Sequence, residues 1–92
     1  MANYLLIEGR VQGVGYRAAF VEQARMLGLA GWVRNRRDGA VEACVSGTQP
    51  AEEAIIAWAH RGPPAAQVSQ VQVRDADEAS VADGPFAILP TA

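Results

Sequence analysis

The sequence predicts an α+β sandwich of element order βαββαβ with a short extra C-terminal strand: a mostly antiparallel sheet with two helices on one face. Three observations carry that expectation. Strand-like runs alternate with two stretches of helical periodicity, Asp38-Gly39 joins two of the strand-like runs as a hairpin, and no repeat or low-complexity segment breaks the pattern. A crossover from the first strand through a helix needs parallel, right-handed strands, so the hairpin fits most economically into a split βαβ topology. Ninety-two residues, half of them hydrophobic, close one core and not two, and a single domain over residues 1–92 is expected.

The first strand is "NYLLIEG", rich in strand formers and halted at Gly9. From Arg17 to Leu27, Phe20, Ala24 and Leu27 recur at helical spacing, and Gly28 stands as a stop. Trp32 to Arg37 and Ala40 to Ser46 read as the strands of a hairpin with a two-residue Asp38-Gly39 turn. In the second of them Val41, Ala43 and Val45 face one way and Glu42, Cys44 and Ser46 the other, so one face is expected in the core and the other wetter. Thr48 is placed to cap the next helix, with Pro50 tolerated in its first turn, Glu52 and Glu53 favoured there by the dipole, and Ala51, Ile55, Trp58 and Ala59 as its apolar stripe. "RGPPAAQ" ends that helix, the alternating "VSQVQVR" is a fourth strand, "DADEASVADG" is an acidic connector, and Phe86 to Leu89 is a short edge strand.

Composition narrows the chemistry. A net charge of −2 argues against a general affinity for nucleic acid or acidic membranes, leaving only a local basic patch as a route to either. All eight basic side chains are arginine, a planar fork suited to bidentate contact with phosphate or carboxylate, and six of them precede Ala43. One cysteine, Cys44, excludes an intrachain disulfide and a multi-cysteine metal site, and His60 is the only histidine. The expected setting is the reducing cytosol, since Met1 to Ile7 lacks the basic flank of a signal peptide and is too short to span a membrane.

The stretch "GVGYRA", residues 13–18, matches a loose dinucleotide-binding pattern, but a hairpin follows where a second parallel strand should stand, and the chain is too short for a doubly wound sheet. A Walker loop requires a lysine, which the chain lacks. What remains is a run of backbone N–H groups able to curl around an anion at the positive end of a helix, with Arg17 completing a cradle. The alternative is a glycine-rich turn from strand to helix with Arg17 solvated. Asn35 is disfavoured within a strand and carries an amide able to donate and accept at once, which suits holding a water; otherwise it is a hairpin-end residue. Trp32 and Trp58 read as packing residues, Arg34, Arg36 and Arg37 as a solvated hairpin end, His60 as a helix-surface residue, and Cys44 as an ordinary strand residue.

Together, "GRVQGVGYR" (9–17) and "GWVRNRRDGAVE" (31–42) closely resemble the paired signatures of the acylphosphatase family, and "SG" at 46–47, "GPPAAQV" at 62–68 and the "VQV" strand agree in spacing. The resemblance covers essentially the whole chain, and only the tail "FAILPTA" departs from the family's usual last strand. It implies a ferredoxin-like fold and hydrolysis of acyl phosphates to carboxylate and inorganic phosphate, with no metal or cofactor. It further implies that Arg17 binds the phosphate, that Asn35 orients the attacking water, and that the loop Gln12, Gly13, Val14, Gly15, Tyr16 and Arg17 supplies backbone N–H groups to the phosphate oxygens. The implied partners are a small acyl phosphate and its phosphate product, with no nucleic acid or membrane, and the default state is a monomer.

Two other classes compete with that reading. A non-catalytic phosphate- or nucleic-acid-binding module on the same fold lacks, in "NYLLIEG" and "AVEACVSG", the aromatic-rich strand that RNA recognition needs. An acylphosphatase-like domain inside a larger hydrogenase-maturation carbamoyltransferase would carry appended domains, and a 92-residue sequence favours the free-standing form.

Overall fold

A computed structural model describes residues 2–81 and 84–92; Met1 of the expected first strand and Ala82 and Asp83 of the expected connector lie outside the described residues. Element order is β1 (Ala2–Arg10), α1 (Tyr16–Met26), β2 (Ala30–Asn35), β3 (Val41–Ser46), α2 (Gln49–Arg61), β4 (Gln67–Asp75), a 3-10 turn (Glu78–Ser80) and β5 (Ala87–Ile88). The strands form one sheet in the order β4-β1-β3-β2-β5. β1 lies antiparallel to β3 and β4, and β3 antiparallel to β2, so β1 and β2 run parallel with β3 between them. That is the split βαβ topology, with β5 added parallel to β2.

The core lies between the helices and one face of the sheet. Leu5 and Ile7 of β1, Val33 of β2 and Val41, Ala43 and Val45 of β3 meet Phe20 and Ala24 of α1 and Ile55 and Ala59 of α2. Tyr16, Phe20, Trp58 and Phe86 form a connected aromatic cluster, with neighbouring ring centroids 5.4 to 6.2 Å apart, which confirms Trp58 as a packing residue. α1 ends in a Schellman pair, Gly28 N–H to Arg25 O and Leu29 N–H to Ala24 O, with Gly28 at the stop. Thr48 caps α2 as expected, its Oγ1 accepting from Ala51 N–H at 3.3 Å, with Glu52 in the first turn.

Two local expectations are corrected. The hairpin turn is not the two-residue Asp38-Gly39 type, and the first hairpin strand stops at Asn35 instead of Arg37. A primed two-residue turn requires positive φ at Asp38, and among the described residues none other than glycine has positive φ. Instead Arg36 N–H bonds Ala40 O at 2.8 Å and Gly39 N–H bonds Arg36 O at 3.2 Å, with Gly39 at φ 95°: a three-residue loop over 37–39 closed by a glycine bulge. The supposedly wetter face of β3 is also dry, since Glu42 and Cys44 are both buried. β3 is the central strand, and Tyr4 with the guanidinium groups of Arg34 and Arg36 folds over Glu42 on the face opposite the helices. Beside them Trp32 is half-buried, and the 3-10 turn reaches the same sheet face, where Trp32 Nε1 donates to Ser80 O.

Candidate functional site

The site begins where β1 runs out. Val11 is buried, anchoring the loop, and the chain then turns through Gln12 to Gly15 before α1 starts at Tyr16. Gly13 and Gly15 adopt φ of 73° and 79°, yet nothing stands within 4 Å of a Cβ built at either one. The glycines therefore answer to backbone conformation and not to crowding.

Gly15 is the N-cap of α1 and offers no side chain, and the first turn of α1 contains no acidic residue. The helix ladder opens with Ala19 N–H to Gly15 O at 3.1 Å, which leaves the N–H groups of Tyr16, Arg17 and Ala18 without intrahelical acceptors at the positive end of the dipole. α2 is built the opposite way, with its own Thr48 cap and an acid in its first turn. Unlike α2, α1 starts with neither a side-chain cap nor an acid in its first turn, which leaves its positive end open to an anion.

Those donors border a cavity of about 200 Å³ lined by Val11, Gly13, Gly15, Tyr16, Arg17, Ala18 and Ile88. The half-buried Arg17 is the only charged lining residue. Gln12 and Val14 belong to the same loop but not to the lining. Asn35 is not a lining residue either; it ends β2, one strand in from β5, where Val33 pairs with Ile88. Alternation along β2 places Asn35 on the face of Val33, the helix side. The Oδ1 atom of Asn35 is buried and accepts no hydrogen bond from any described residue.

On the opposite face of the sheet the flanks of Asn35 are tied down. Arg34 Nε donates to Glu42 at 2.5 Å, Arg36 Nη1 donates to the same carboxylate at 3.3 Å, and the Tyr4 hydroxyl donates to it as well. Burial pushes the Glu42 carboxyl up, but the hydrogen bonds from Tyr4, Arg34 and Arg36 and the Arg34 charge outweigh it and hold the group below its ordinary value. The hairpin arginines are thus not all solvated, as their sequence suggests: Arg37 alone is exposed. Arg34 stands opposite Glu42 across β2 and β3, but Arg36 lies beyond the end of β2 and Tyr4 comes from β1, so alternation alone does not announce the cluster.

Two side-chain contacts of the loop escape a reading of its motif. The Tyr16 hydroxyl donates to Ala59 O at 2.8 Å, and Gln12 Nε2 donates to Arg36 O and Ala40 O at 2.8 and 2.9 Å. Cys44 is buried, which pushes its thiol up, and His60 is an exposed residue of α2. Among the described residues no group of three or more His, Cys, Asp or Glu side chains is placed to hold a metal ion, and no helix is long and apolar enough to cross a membrane.

An uncapped helix start with a guanidinium beside it suits a phosphate-sized anion. The acylphosphatase family model matches residues 3–88. A protein of Azoarcus sp. named acylphosphatase is 56% identical over 91 residues, covering 98% of this chain and 90% of that protein. The crystal structure of acylphosphatase from Bacillus subtilis superposes with a TM-score of 0.85 at 34% identity, over 97% of this chain and 99% of that one. Full-length HypF, in its phosphate- and nucleotide-bound form, superposes with a TM-score of 0.81 at 30% identity, over 98% of this chain but 12% of HypF. The fold is the ferredoxin-like sandwich of these structures, and by family model, relatives and architecture alike this chain belongs to the acylphosphatase family.

Proposed function

We propose that the protein hydrolyses the carboxyl–phosphate bond of acyl phosphates, with Arg17 and the N–H groups of the 12–17 loop holding the phosphate and Asn35 orienting the attacking water. Its membership of the acylphosphatase family supports the reaction. The observation that carries the residue assignment is the buried Asn35 Oδ1, an acceptor with no donor among the described residues. A buried orphan acceptor costs stability, about 1–3 kcal/mol, and its place on the strand beside the cavity fits a water as the donor.

An acyl phosphate asks little of its enzyme. The leaving carboxylate is weakly basic and departs without protonation, so no strong general acid is needed. Water oxygen bonds to phosphorus, the phosphorus–acyl oxygen bond breaks with its electron pair going to the carboxylate, and the water's proton passes to a phosphate oxygen. The protein's part is to grip three phosphoryl oxygens, keep the water in line and stabilise charge in a loose transition state. The Arg17 fork and the free N–H groups of α1 do the first and last, and the Asn35 amide the second.

The partners assigned are the acyl phosphate and its phosphate product, without nucleic acid or membrane. The buried Cys44 offers no accessible thiol for a covalent dimer and suits a monomer in the reducing cytosol.

The test is turnover of an aromatic acyl phosphate in EDTA by wild type, Arg17→Ala and Asn35→Ala, alongside binding of inorganic phosphate followed as a shift in thermal unfolding. Wild-type turnover lost in both variants, with phosphate binding kept in Asn35→Ala and lost in Arg17→Ala, is expected. Phosphate binding without any wild-type turnover would instead establish a non-catalytic phosphate-binding module.

A further inference from the structure

We infer that the side chain of Gln12 is a positioning residue for the reaction, a strap that sets the phosphate loop at a fixed distance from the hairpin strand carrying Asn35. This rests on the assignment of Asn35 proposed above. Gln12 is the first residue after the buried Val11, and both hydrogens of its Nε2 are taken by main-chain carbonyls far along the chain, Arg36 O at 2.8 Å and Ala40 O at 2.9 Å. Those two residues close the hairpin loop on each other, Arg36 N–H to Ala40 O, and Arg36 directly follows Asn35. The amide thus inserts at the mouth of the hairpin and makes second hydrogen bonds to two carbonyls already in use.

Among the described hydrogen bonds these are the only ones joining residues 12–17 to residues 35–41. The strand is gripped from the other face as well, where Glu42 collects Arg34 and Arg36, the two neighbours of Asn35. Asn35 is therefore flanked by restrained residues, and among the described hydrogen bonds those of Gln12 are the ones that tie that restraint directly to the loop that ends in Arg17. The chemistry of the link is specific. Two acceptors of one sign require a group with two donors and no negative charge, and an amide meets that where a carboxylate would repel both carbonyls.

The separation between phosphorus and water sets the rate steeply, and a misplacement of about 1 Å can cost about a hundredfold. The experiment compares kcat, KM and the affinity for inorganic phosphate in wild type, Gln12→Met, which keeps the length without donors, and Gln12→Asn, which keeps the donors on a shorter arm. Both variants should lose about a hundredfold in kcat, with KM and phosphate affinity within threefold of wild type. In an Asn35→Ala background Gln12→Met should cost nothing further, because the strap then positions nothing.

An active wild type whose kcat is unchanged in Gln12→Met overturns this inference alone, as does a cycle in which the two losses simply multiply. Parallel loss of phosphate binding and turnover also overturns it, assigning Gln12 to the phosphate site itself. A wild type that binds phosphate but turns over nothing overturns the assignment of Asn35 and this inference with it. If Gln12→Met does not fold, the same comparisons made with Gln12→Asn decide.

Discussion

The phenol of Tyr16 donates a 2.8 Å hydrogen bond to the main-chain carbonyl of Ala59, joining the start of α1 to the last turn of α2. Carbonyls in a last helical turn have no intrahelical partner, so Tyr16 satisfies one of them while its ring packs against Phe20 and Trp58. Burial pushes the phenol well above its ordinary pKa, which keeps it a neutral donor throughout the working pH range. Gly62 leaves the ring its room, since a Cβ there would stand 2.8 Å from a Tyr16 ring carbon. Tyr16→Phe keeps the packing and strands the carbonyl, and should cost about 1–2 kcal/mol in urea unfolding.

Arg17→Lys is expected to keep the fold and lose the reaction. The charge survives, but an ammonium cannot reproduce the two parallel N–H bonds of a guanidinium to a phosphate. By analogy with the loss of one oxyanion donor, kcat/KM should fall about 10²–10³-fold, while urea unfolding without phosphate stays near wild type. Near-normal turnover would remove Arg17 from its assigned role.

Glu42 makes the fold acid-sensitive. Its folded pKa lies below the ordinary carboxylate value of 4.5, so its contribution is complete above that value and is lost as pH falls through the folded pKa. Glu42→Gln should flatten the acid limb of stability against pH and, at pH 7, cost about 2 kcal/mol. That is less than for a fully buried pair, because the Arg34 and Arg36 side chains remain 33% and 39% exposed.

Glu52 acts with the opposite sign. It is buried, one oxygen accepts from Asn3 Nδ2 at 2.6 Å, and the other finds no donor among the described residues. Burial raises its pKa above 4.5, so the folded state holds the proton more tightly and carries a penalty once both states are ionised. Glu52→Gln should raise the unfolding midpoint at pH 7, and the gain should vanish below about pH 4.5, where wild-type Glu52 is protonated folded and unfolded. Equal effects at both pH values would show that charge burial is not the cause.

What the sequence revealed and what it concealed follow from the kind of partner each residue has. Element order was legible because periodicity and turn residues are local, and the split βαβ topology followed from the handedness of one crossover. The length of the hairpin loop was not, since Gly39 at positive φ serves a two-residue turn and a three-residue bulged turn equally well. Alternation showed that Glu42 and Cys44 share a face but not that Tyr4, Arg34 and Arg36 would fold over Glu42, because cover comes from other strands. In the site, Gly13, Gly15 and Arg17 announced themselves by residue type. The contacts of Gln12 and Tyr16 did not, for their acceptors are main-chain carbonyls of Arg36, Ala40 and Ala59, and every residue in the chain has a carbonyl.

On the proposed assignment, the bare start of α1 would make the phosphate something like an extra amino acid. Most helices carry their own terminator, as α2 does in Thr48, and finish folding when the chain does. α1 begins at a glycine with no side chain to cap it, so an anion bound there would complete the bonds of its first turn. On the proposed assignment, substrate and product phosphate alike would stabilise the folded chain, by an amount that grows with the logarithm of their concentration once it exceeds Kd. A thermal melt in rising phosphate therefore reads the active site and the fold on the same scale.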